Sequence, residues 1–342
     1  MHPRVVAVAT AVPPHRYAQE TLLEMAGRDR QREAFFLNSD IRYRHLYFEP
    51  GFRGGETLDE MNERARRGAL EIGGRALRCL MQRAGLAPGE IHFLATTTCT
   101  VTLCPQLDTL FIRDLSLGPC IQRAHIGDSG CASAMVALQA AWNHVRAYPN
   151  HRAVIAAVEI CSAAYYRDGS VESAIGEAIF ADGAGALCLA GGDGRPGFEV
   201  LAHHTVIRPE YLHLMGFEFP GGYRRLVLSK DVRQIGAQML AQLTREMLRA
   251  HALQRSDIRF WILHAAGRKV LDNAQAALGL SDEDMAFSRA VLRDYGNMSS
   301  ATVLFVLERV IESGLPRQGD LAVMAALGPG FAAEGALLEW RG

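Results

Sequence analysis

Cys131 is the residue whose type and setting first suggest chemistry in this sequence. It lies in the segment Gly-Asp-Ser-Gly-Cys-Ala-Ser-Ala, residues 127–134, between a predicted strand and a predicted helix. Free backbone N–H groups and the helix dipole at such a junction favour a thiolate, the nucleophilic form of cysteine. The small residues around it would leave the sulfur open to a large thioester. A small buried cysteine without reactivity stays open as the alternative on residue type alone.

His264 and Asn297 are candidate partners for this thiolate. His264 follows the apolar run of residues 260–263, and open α/β sheets carry their sites at the carboxyl ends of strands. Asn297 lies in Tyr-Gly-Asn-Met-Ser-Ser-Ala, residues 295–301, a turn before an apolar helix. Each also has a structural explanation, since a histidine can be hydrogen-bonded in a core and an asparagine can cap a helix.

Strands and helices that would position these side chains alternate along the chain. Apolar runs predict strands at residues 5–12, 91–98, 121–127, 153–160, 185–190, 200–206, 259–263, 321–327 and 334–340. Apolar residues at three-to-four spacing predict helices at residues 58–84, 106–115, 132–146, 231–250, 268–278 and 299–313. This alternation predicts a layered α/β fold. A turn at residues 191–194 divides it into an N-terminal half, 1–194, that carries the cysteine and a C-terminal half, 195–342, that carries the histidine and asparagine.

The composition excludes several classes of function. The chain has 342 residues, 49% hydrophobic and 21% charged, with a formal net charge of −1, so we expect no nucleic-acid partner. No apolar run is long enough to span a bilayer, and the start lacks the pattern of a signal peptide. Seven cysteines without a Cys-x-x-Cys pair argue against a disulfide framework or a metal site. We therefore expect a reduced, cytoplasmic protein without membrane insertion.

Four motifs in order make the chain resemble the type III polyketide synthases. This family, the chalcone and stilbene synthase group, belongs to the thiolase superfamily. The resemblance runs from about residue 4 to the C-terminus. It is carried by Ala-Ile-Phe-Ala-Asp-Gly-Ala (178–184), Trp-Ile-Leu-His-Ala-Ala-Gly (261–267), Leu-Arg-Asp-Tyr-Gly-Asn-Met-Ser-Ser-Ala (292–301) and Leu-Gly-Pro-Gly-Phe (327–331). It implies a thiolase-like fold with two pseudo-duplicated βαβαβ halves in five α/β/α/β/α layers.

The family's reaction follows from the same resemblance. Cys131 would accept an acyl starter from coenzyme A, with His264 helping to hold the thiolate. His264 and Asn297 would stabilise the enolate formed when malonyl-CoA loses carbon dioxide. A decarboxylative Claisen condensation would extend the chain, and cyclisation would follow. Because the thioester itself supplies the electron sink, we expect acyl-CoA and malonyl-CoA as substrates and no metal or other cofactor.

Further site residues are implied by alignment with the family. Phe180 would be an aromatic gatekeeper, with Leu226 in the place of the usual second Phe, although Phe180 could also be an ordinary core residue. Arg42 and Arg44 would meet the CoA phosphates, unless they are simply solvated. The remaining candidates line the pocket or lie close to it: Cys99, Cys104, Gly328, Pro329, Gly330 and Phe331. Cys104 lies on a loop expected to cross into the partner subunit of a homodimer.

Departures from the family pattern leave the product open. Ala-Ser-Ala follows Cys131 where a Gly-rich turn is usual, the proline after the histidine is absent, and the chain is shorter than plant members. These features favour a divergent bacterial-type enzyme. The starter, the number of extensions and the mode of cyclisation stay undetermined. The rival hypotheses are a ketoacyl synthase III that uses an acyl carrier protein and a non-catalytic binding module that kept the fold.

Overall fold

The computed structural model describes residues 2–52, 54–192 and 194–342. The predicted turn at residues 191–194 therefore falls partly outside the described residues, at Asp193. In the N-terminal half the elements are β1 (Arg4–Ala11), β2 (Arg16–Ala18), α1 (Gln19–Ala26), α2 (Arg30–Leu37), β3 (Tyr43–His45), α3 (Leu58–Ala84), β4 (Phe93–Thr98), α4 (Leu107–Asp114), β5 (Gln122–Gly127), α5 (Ser133–Ala147), β6 (Arg152–Ile160), α6 (Val171–Ile179) and β7 (Asp182–Ala190). In the C-terminal half they are β8 (Gly197–Ile207), β9 (Met215–Glu218), β10 (Arg225–Leu228), α7 (Val232–Ala250), β11 (Ile258–Leu263), α8 (Arg268–Leu278), α9 (Asp282–Tyr295), α10 (Thr302–Glu312), β12 (Leu321–Gly328) and β13 (Ala332–Arg341).

Nine of these strands form one continuous sheet. Its order is β11-β12-β13-β8-β1-β7-β6-β4-β5. Strand β4 runs parallel to β5 and β6, and β11 runs parallel to β12, whereas the other neighbours are antiparallel. The strands of each half are thus contiguous, and the two sets meet where Arg4 and Val5 pair with Glu199 and Phe198. The division into two domains stays a prediction.

Alternate residues along the strands face different apolar cores, which produces the layers. On β6, Ile155 and Ala157 pack into the same core as α5 and α10, whereas Val154 and Val158 pack against α3. Strand β12 in the other half repeats the pattern, with one set of residues toward the α5/α10 core and the other toward a third core. This third core is built on α7, α8 and α9. Because successive strand side chains point to opposite faces, helices cover both faces of each half, and α5 and α10 lie in the middle.

Local signals explain why the long helix α3 matches its predicted range. Thr57 and Glu60 form a capping box at its start, and Gly85 ends it in the left-handed conformation at φ 61°. The helix predicted at residues 299–313 instead begins as a short 3₁₀ turn and becomes α-helical at Thr302. The sequence did not predict α1, α2, α6 or α9, nor the short strands β2, β3, β9 and β10. In the part of the chain that the structure describes, no helix is long and apolar enough to cross a bilayer.

Candidate active site

Cys131 lies on a tight turn between β5 and α5. The strand ends at Gly127, residues 130–132 form one 3₁₀ turn, and α5 begins at Ser133. The predicted strand-to-helix junction is therefore confirmed. Two residues of the turn, Asp128 and Gly130, have positive φ angles of 54° each. The turn thus projects Cys131 beside the start of a helix, where free N–H groups and the helix dipole favour negative charge.

His264 follows β11 directly and is almost fully buried, with 7% of its surface exposed. Its backbone N–H donates to the carbonyl of Ala325 at 2.9 Å, which fixes it beside β12. Neither imidazole nitrogen has a hydrogen-bond partner among the described residues. A buried polar group without a partner is costly. Both ring nitrogens are therefore available for a hydrogen bond to a bound group.

Asn297 lies between α9 and α10, and its side chain makes two hydrogen bonds. Its amide Nδ2 donates to the carbonyl of Ala266 at 3.0 Å, and its Oδ1 accepts from the backbone N–H of Ser299 at 2.8 Å. Ala266 in turn donates its N–H to the carbonyl of His264 at 3.0 Å. Hydrogen bonds thus link the asparagine to the histidine segment. Since a side-chain amide has two N–H donors, one is left for another acceptor.

Ser299 connects Asn297 and the histidine segment to the nucleophile Cys131. The sequence analysis did not single it out. Its Oγ lies 3.6 Å from the Sγ of Cys131 and 3.1 Å from the Sγ of Cys99. Ser299 is buried and has a positive φ of 49°. It belongs to the Asn-Met-Ser-Ser motif, so its position two residues after Asn297 was the available signal. The structure brings Cys131, Asn297 and, through Ala266, His264 into one corner.

Burial shifts both titratable partners toward their neutral forms. Burial raises the pKa of Cys131 to about 12, although the hydrogen bond with Ser299 acts in the opposite direction. Burial likewise lowers the pKa of His264 to about 4. Burial therefore favours a thiol on Cys131 and a neutral imidazole on His264 at neutral pH. No hydrogen bond joins the two side chains among the described residues.

Glu159 is a second residue that sequence reasoning missed, and its carboxylate contacts Cys99. Its carboxylate accepts from the N–H of Cys99 at 3.1 Å, from Thr100 Oγ1 at 2.7 Å and from the hydroxyl of Ser300. Glu159 is fully buried, and this burial raises its pKa. Burial and the neighbouring Glu159 raise the pKa of Cys99 well above its usual value. Cys99 therefore lies close to Cys131 as a protonated thiol.

Phe180 and Leu226, the two predicted gate residues, pack in one small cluster. Leu226 is buried with Ala164 and Tyr165, and Phe180 packs against them partly exposed. The rings of Tyr165 and Phe180 are 6.0 Å apart. Phe180 also pairs with Asn297 through the backbone. The cluster therefore adjoins the corner that holds Asn297.

The loop of residues 328–331 packs on the turn that carries the nucleophile. A Cβ built on Gly328 would overlap the carbonyl oxygen of Ser129 and lie 2.8 Å from the Cβ of Ala132. A Cβ built on Gly130 would likewise overlap the Cδ of Pro329. Phe331 is buried and packs edge-on against Tyr211, while Gly330 takes a positive φ of 82° between them. The predicted proximity of this loop to Cys131 is thus present in the structure.

Arg42 and Arg44, the two residues predicted to meet the CoA phosphates, differ in exposure. Arg44 is only 2% exposed, and its guanidinium donates to Gln19 Oε1 and to the carbonyls of Glu177 and Phe180 at 2.7–2.9 Å. Burial lowers its pKa to about 9. The expectation of a phosphate contact does not fit Arg44, because a solvent-borne phosphate could not reach it. Arg42 is exposed on the neighbouring surface.

Cys104 lies exposed on the loop between β4 and α4. The flanking Val101 and Leu107 are buried within this chain, and only Leu103 is partly exposed. Two of the three apolar residues around Cys104 are therefore already covered by their own chain. Their burial needs no second subunit.

Comparisons with known proteins agree with this geometry. The family profile of FAE1/type III polyketide synthase-like proteins matches residues 49–204, and that of chalcone and stilbene synthases, C-terminal domain, matches residues 223–340. The chain is 35% identical to a 3,5-dihydroxyphenylacetyl-CoA synthase of Amycolatopsis balhimycina, over 98% of this chain and 93% of that protein. It is 33% identical to a 1,3,6,8-tetrahydroxynaphthalene synthase of Streptomyces peucetius, with the same coverage of 98% and 93%.

A solved structure shares the whole fold. The crystal structure of 1,3,6,8-tetrahydroxynaphthalene synthase from Streptomyces coelicolor, a bacterial type III polyketide synthase, superimposes with a TM-score of 0.93. It is 26% identical, and the match covers 99% of each chain. The thiolase-like fold expected from the sequence is thereby confirmed. The chain belongs to the type III polyketide synthases, acyltransferases of the thiolase-like fold that condense acyl units through carbon–carbon bonds.

Proposed function

We propose that Cys131 is the acyl-carrying nucleophile of this enzyme, with His264 and Asn297 as its partners. The thiol of Cys131 would give its proton to His264 as an acyl-CoA enters, and the thiolate would attack the thioester carbonyl. The coenzyme A thiolate that leaves would recover that proton from the imidazolium. The acyl group is then held on Cys131 and His264 is again neutral, as its lowered pKa favours.

Decarboxylation of malonyl-CoA would use the same two partners as hydrogen-bond donors. A neutral imidazole has one N–H donor, and the amide of Asn297 has one N–H beyond the one that Ala266 accepts. Both can donate to the thioester oxygen as carbon dioxide leaves and negative charge develops there. The resulting enolate carbon attacks the acyl carbonyl on Cys131 and restores the thiolate. Repetition and ring closure would give a cyclised polyketide.

The observation that carries this proposal is the imidazole of His264. It is buried, its two nitrogens have no partner among the described residues, and hydrogen bonds through Ala266 link its backbone to Asn297. A structural histidine would have used at least one nitrogen within the chain. A non-catalytic binding module would have no need to keep this buried ring unpaired. The arrangement therefore supports catalysis.

The substrates we propose are CoA thioesters, acyl-CoA and malonyl-CoA, without a metal or other cofactor. The thioester carbonyl itself accepts the electron pair that decarboxylation releases, so the chemistry needs no additional electron sink. We also propose a cytoplasmic location, because CoA thioesters are made and used there. An acyl carrier protein as the donor is the rival to be tested against them.

A homodimer is also proposed, and the edge of the sheet supports it. Strand β5 pairs with β4 on one side, and its other edge has no neighbour among the described residues. Much of β5 is exposed or half-buried. Unpaired edge strands are templates for pairing with another chain, and closed two-fold dimers are the most common oligomers. Exposed Cys104 lies on the loop that follows β4, the strand next to this edge.

The test is acylation of the purified enzyme with a panel of acyl-CoAs, followed by malonyl-CoA. Intact-protein mass spectrometry should show one acyl group per chain, peptide mapping should place it on Cys131, and small-molecule mass spectrometry should detect extended products. Cys131→Ala should abolish acylation while circular dichroism stays unchanged, because the substitution removes the nucleophile but little volume. Acylation of another residue with full turnover in Cys131→Ala would overturn the proposal. Loading only from an acyl carrier protein would favour the rival.

A further inference from the structure

A groove separate from the candidate active site opens beside the C-terminal half of α7. It has a volume of about 560 Å³ and lies between α7, the loop of residues 251–257 and the end of α8. Its apolar lining includes Leu248, Leu253, Trp261 and Leu278. Trp261 lies on β11, the strand that His264 follows. The loop leads into the start of β11, whereas His264 follows the end of this strand. The groove and His264 therefore lie at opposite ends of β11.

Three arginines surround this apolar lining, and no carboxylate is among the lining residues. They are Arg245, Arg249 and Arg255, and all three side chains are exposed. Within the described residues, none of their guanidinium groups makes a hydrogen bond or an ion pair, although most arginines of this chain have such partners. Arg245 and Arg249 lie four residues apart on α7, where like charges face each other and repel. A bound anion would relieve that repulsion.

The helix dipole explains the position of only one of these three arginines. Arg249 lies in the last turn of α7, where a cation is favourable on its own. Arg245 lies one turn earlier, where the dipole effect has faded, and Arg255 lies beyond the helix. Two of the three unpaired cations thus lack a structural role within the chain.

A buried hydroxyl provides an independent indication of a polar ligand. Thr244 lines the groove, is 3% exposed, and its Oγ1 has no hydrogen-bond partner among the described residues. It precedes Arg245 directly in the chain. Buried hydroxyl groups are normally paired, so Thr244 is a polar group in the wall that the chain itself leaves unsatisfied. The groove therefore offers a hydrogen-bonding group at its wall and cations at its rim.

We propose that this groove binds a small amphipathic carboxylate, with its apolar body against the partly exposed Leu253 and Leu278, above the buried Trp261, and its carboxylate on Arg245 and Arg249. Guanidinium groups pair with carboxylates through paired N–H donors. The volume falls in the range of small-molecule sites, roughly 300–1,000 Å³. A nucleic acid would need an extended basic surface instead, whereas the chain has a net charge of −1. The body of the ligand is either an aliphatic chain or an aromatic ring.

Calorimetric titration of the full-length protein tests the proposal. The probes are octanoate and naphthoate, each paired with its neutral analogue, octanol or naphthol. At least one of the two acids should bind. If both bind, they should compete with each other, and the acid with the higher affinity shows whether the body of the ligand is aliphatic or aromatic. Quenching or a shift of Trp261 fluorescence should accompany binding, and Trp261→Phe should remove that optical change.

Charge-matched variants separate this groove from any binding elsewhere, including the candidate active site. Arg245→Gln/Arg249→Gln should weaken carboxylate binding about tenfold, as expected for the loss of two exposed charged contacts. Arg67→Gln/Arg78→Gln removes the same charge from exposed positions on α3 and should leave the affinity unchanged. The proposal is overturned if the neutral analogues bind as tightly as the acids, or if the Arg245/Arg249 variant keeps its affinity.

Discussion

Gly130 and Pro329 are in such close contact that no side chain fits between them. A Cβ on Gly130 would overlap the Cδ of Pro329 and lie 2.6 Å from its Cγ. Gly130 directly precedes the nucleophile, and Pro329 lies in the connection between β12 and β13. The connection between β12 and β13 in the C-terminal half therefore packs directly against the turn that orients Cys131. The position of the nucleophile depends on both halves of the chain.

Gly130→Ala should displace Cys131 and impair its acylation. The new methyl group would collide with Pro329, and the φ of 54° is unfavourable for a residue with a Cβ. Overpacking of this kind costs roughly 1–3 kcal/mol of unfolding free energy, which a lowered urea midpoint would report. Gly127→Ala is the matched control, since its Cβ would meet only His125, at 3.9 Å. Equal stability and equal acylation rates in the two variants would contradict this relationship.

His264→Ala and Asn297→Ala should each slow decarboxylation of malonyl-CoA. Removing one donor to a developing oxyanion typically reduces the rate about 100- to 1,000-fold. Release of carbon dioxide from malonyl-CoA, measured without a starter, isolates this step from acylation. Ser288→Ala provides a comparison, because its hydroxyl only hydrogen-bonds the backbone of Leu263. Normal decarboxylation in both His264→Ala and Asn297→Ala would remove the two residues from the proposed site.

Alkylation of Cys131 in the empty enzyme should accelerate with pH. Because burial raises the pKa of Cys131 to about 12, the thiolate is a minor species from pH 6 to 9, and its fraction grows with each step in pH. The rate should therefore rise about tenfold per pH unit. Peptide-level mass spectrometry after iodoacetamide treatment is required, since the exposed Cys104 and Cys120 also react. A rate that is flat from pH 6 upward would instead mean that His264 holds a thiolate before substrate binds.

The sequence was most informative where local signals and long-range packing agree. The capping box at Thr57 and the left-handed Gly85 define α3 without help from the rest of the fold. In contrast, α9 was not predicted, although a capping box at Ser281 and Asp284 marks its start. The two-stranded pairs β2–β3 and β9–β10 have too few residues for a readable alternation. Their pairing depends on contacts far along the chain, which periodicity does not report.

The candidate site residues taken from motifs come together in the structure, whereas Arg44, taken from alignment with the family, is buried away from solvent. Cys131, His264 and Asn297 each lie at the end of an element, and the ends of neighbouring elements meet at one edge of the sheet. Arg44 was assigned to the CoA phosphates by alignment with the family, yet its position on β3 buries it against α6. Glu159 was overlooked because its buried hydrogen bonds come from groups distant in sequence, the backbone N–H of Cys99 and the hydroxyl of Ser300 among them.

Replacing Cys104 with a larger residue tests the proposed dimer and its contribution to the cavity. If the loop of residues 100–106 reaches the cavity of a second subunit, Cys104→Phe should shorten or redirect the product while Cys131 is acylated at the normal rate. The substitution adds volume on an exposed loop, so the fold of a single chain should tolerate it. Cys104→Ser, which keeps the size of the side chain, should leave the product unchanged. Analytical ultracentrifugation at micromolar concentration should show a dimer for all three proteins, since the exposed edge of β5 lies outside this loop. A monomer, or the same products from Cys104→Phe and the unmodified enzyme, would contradict the shared cavity.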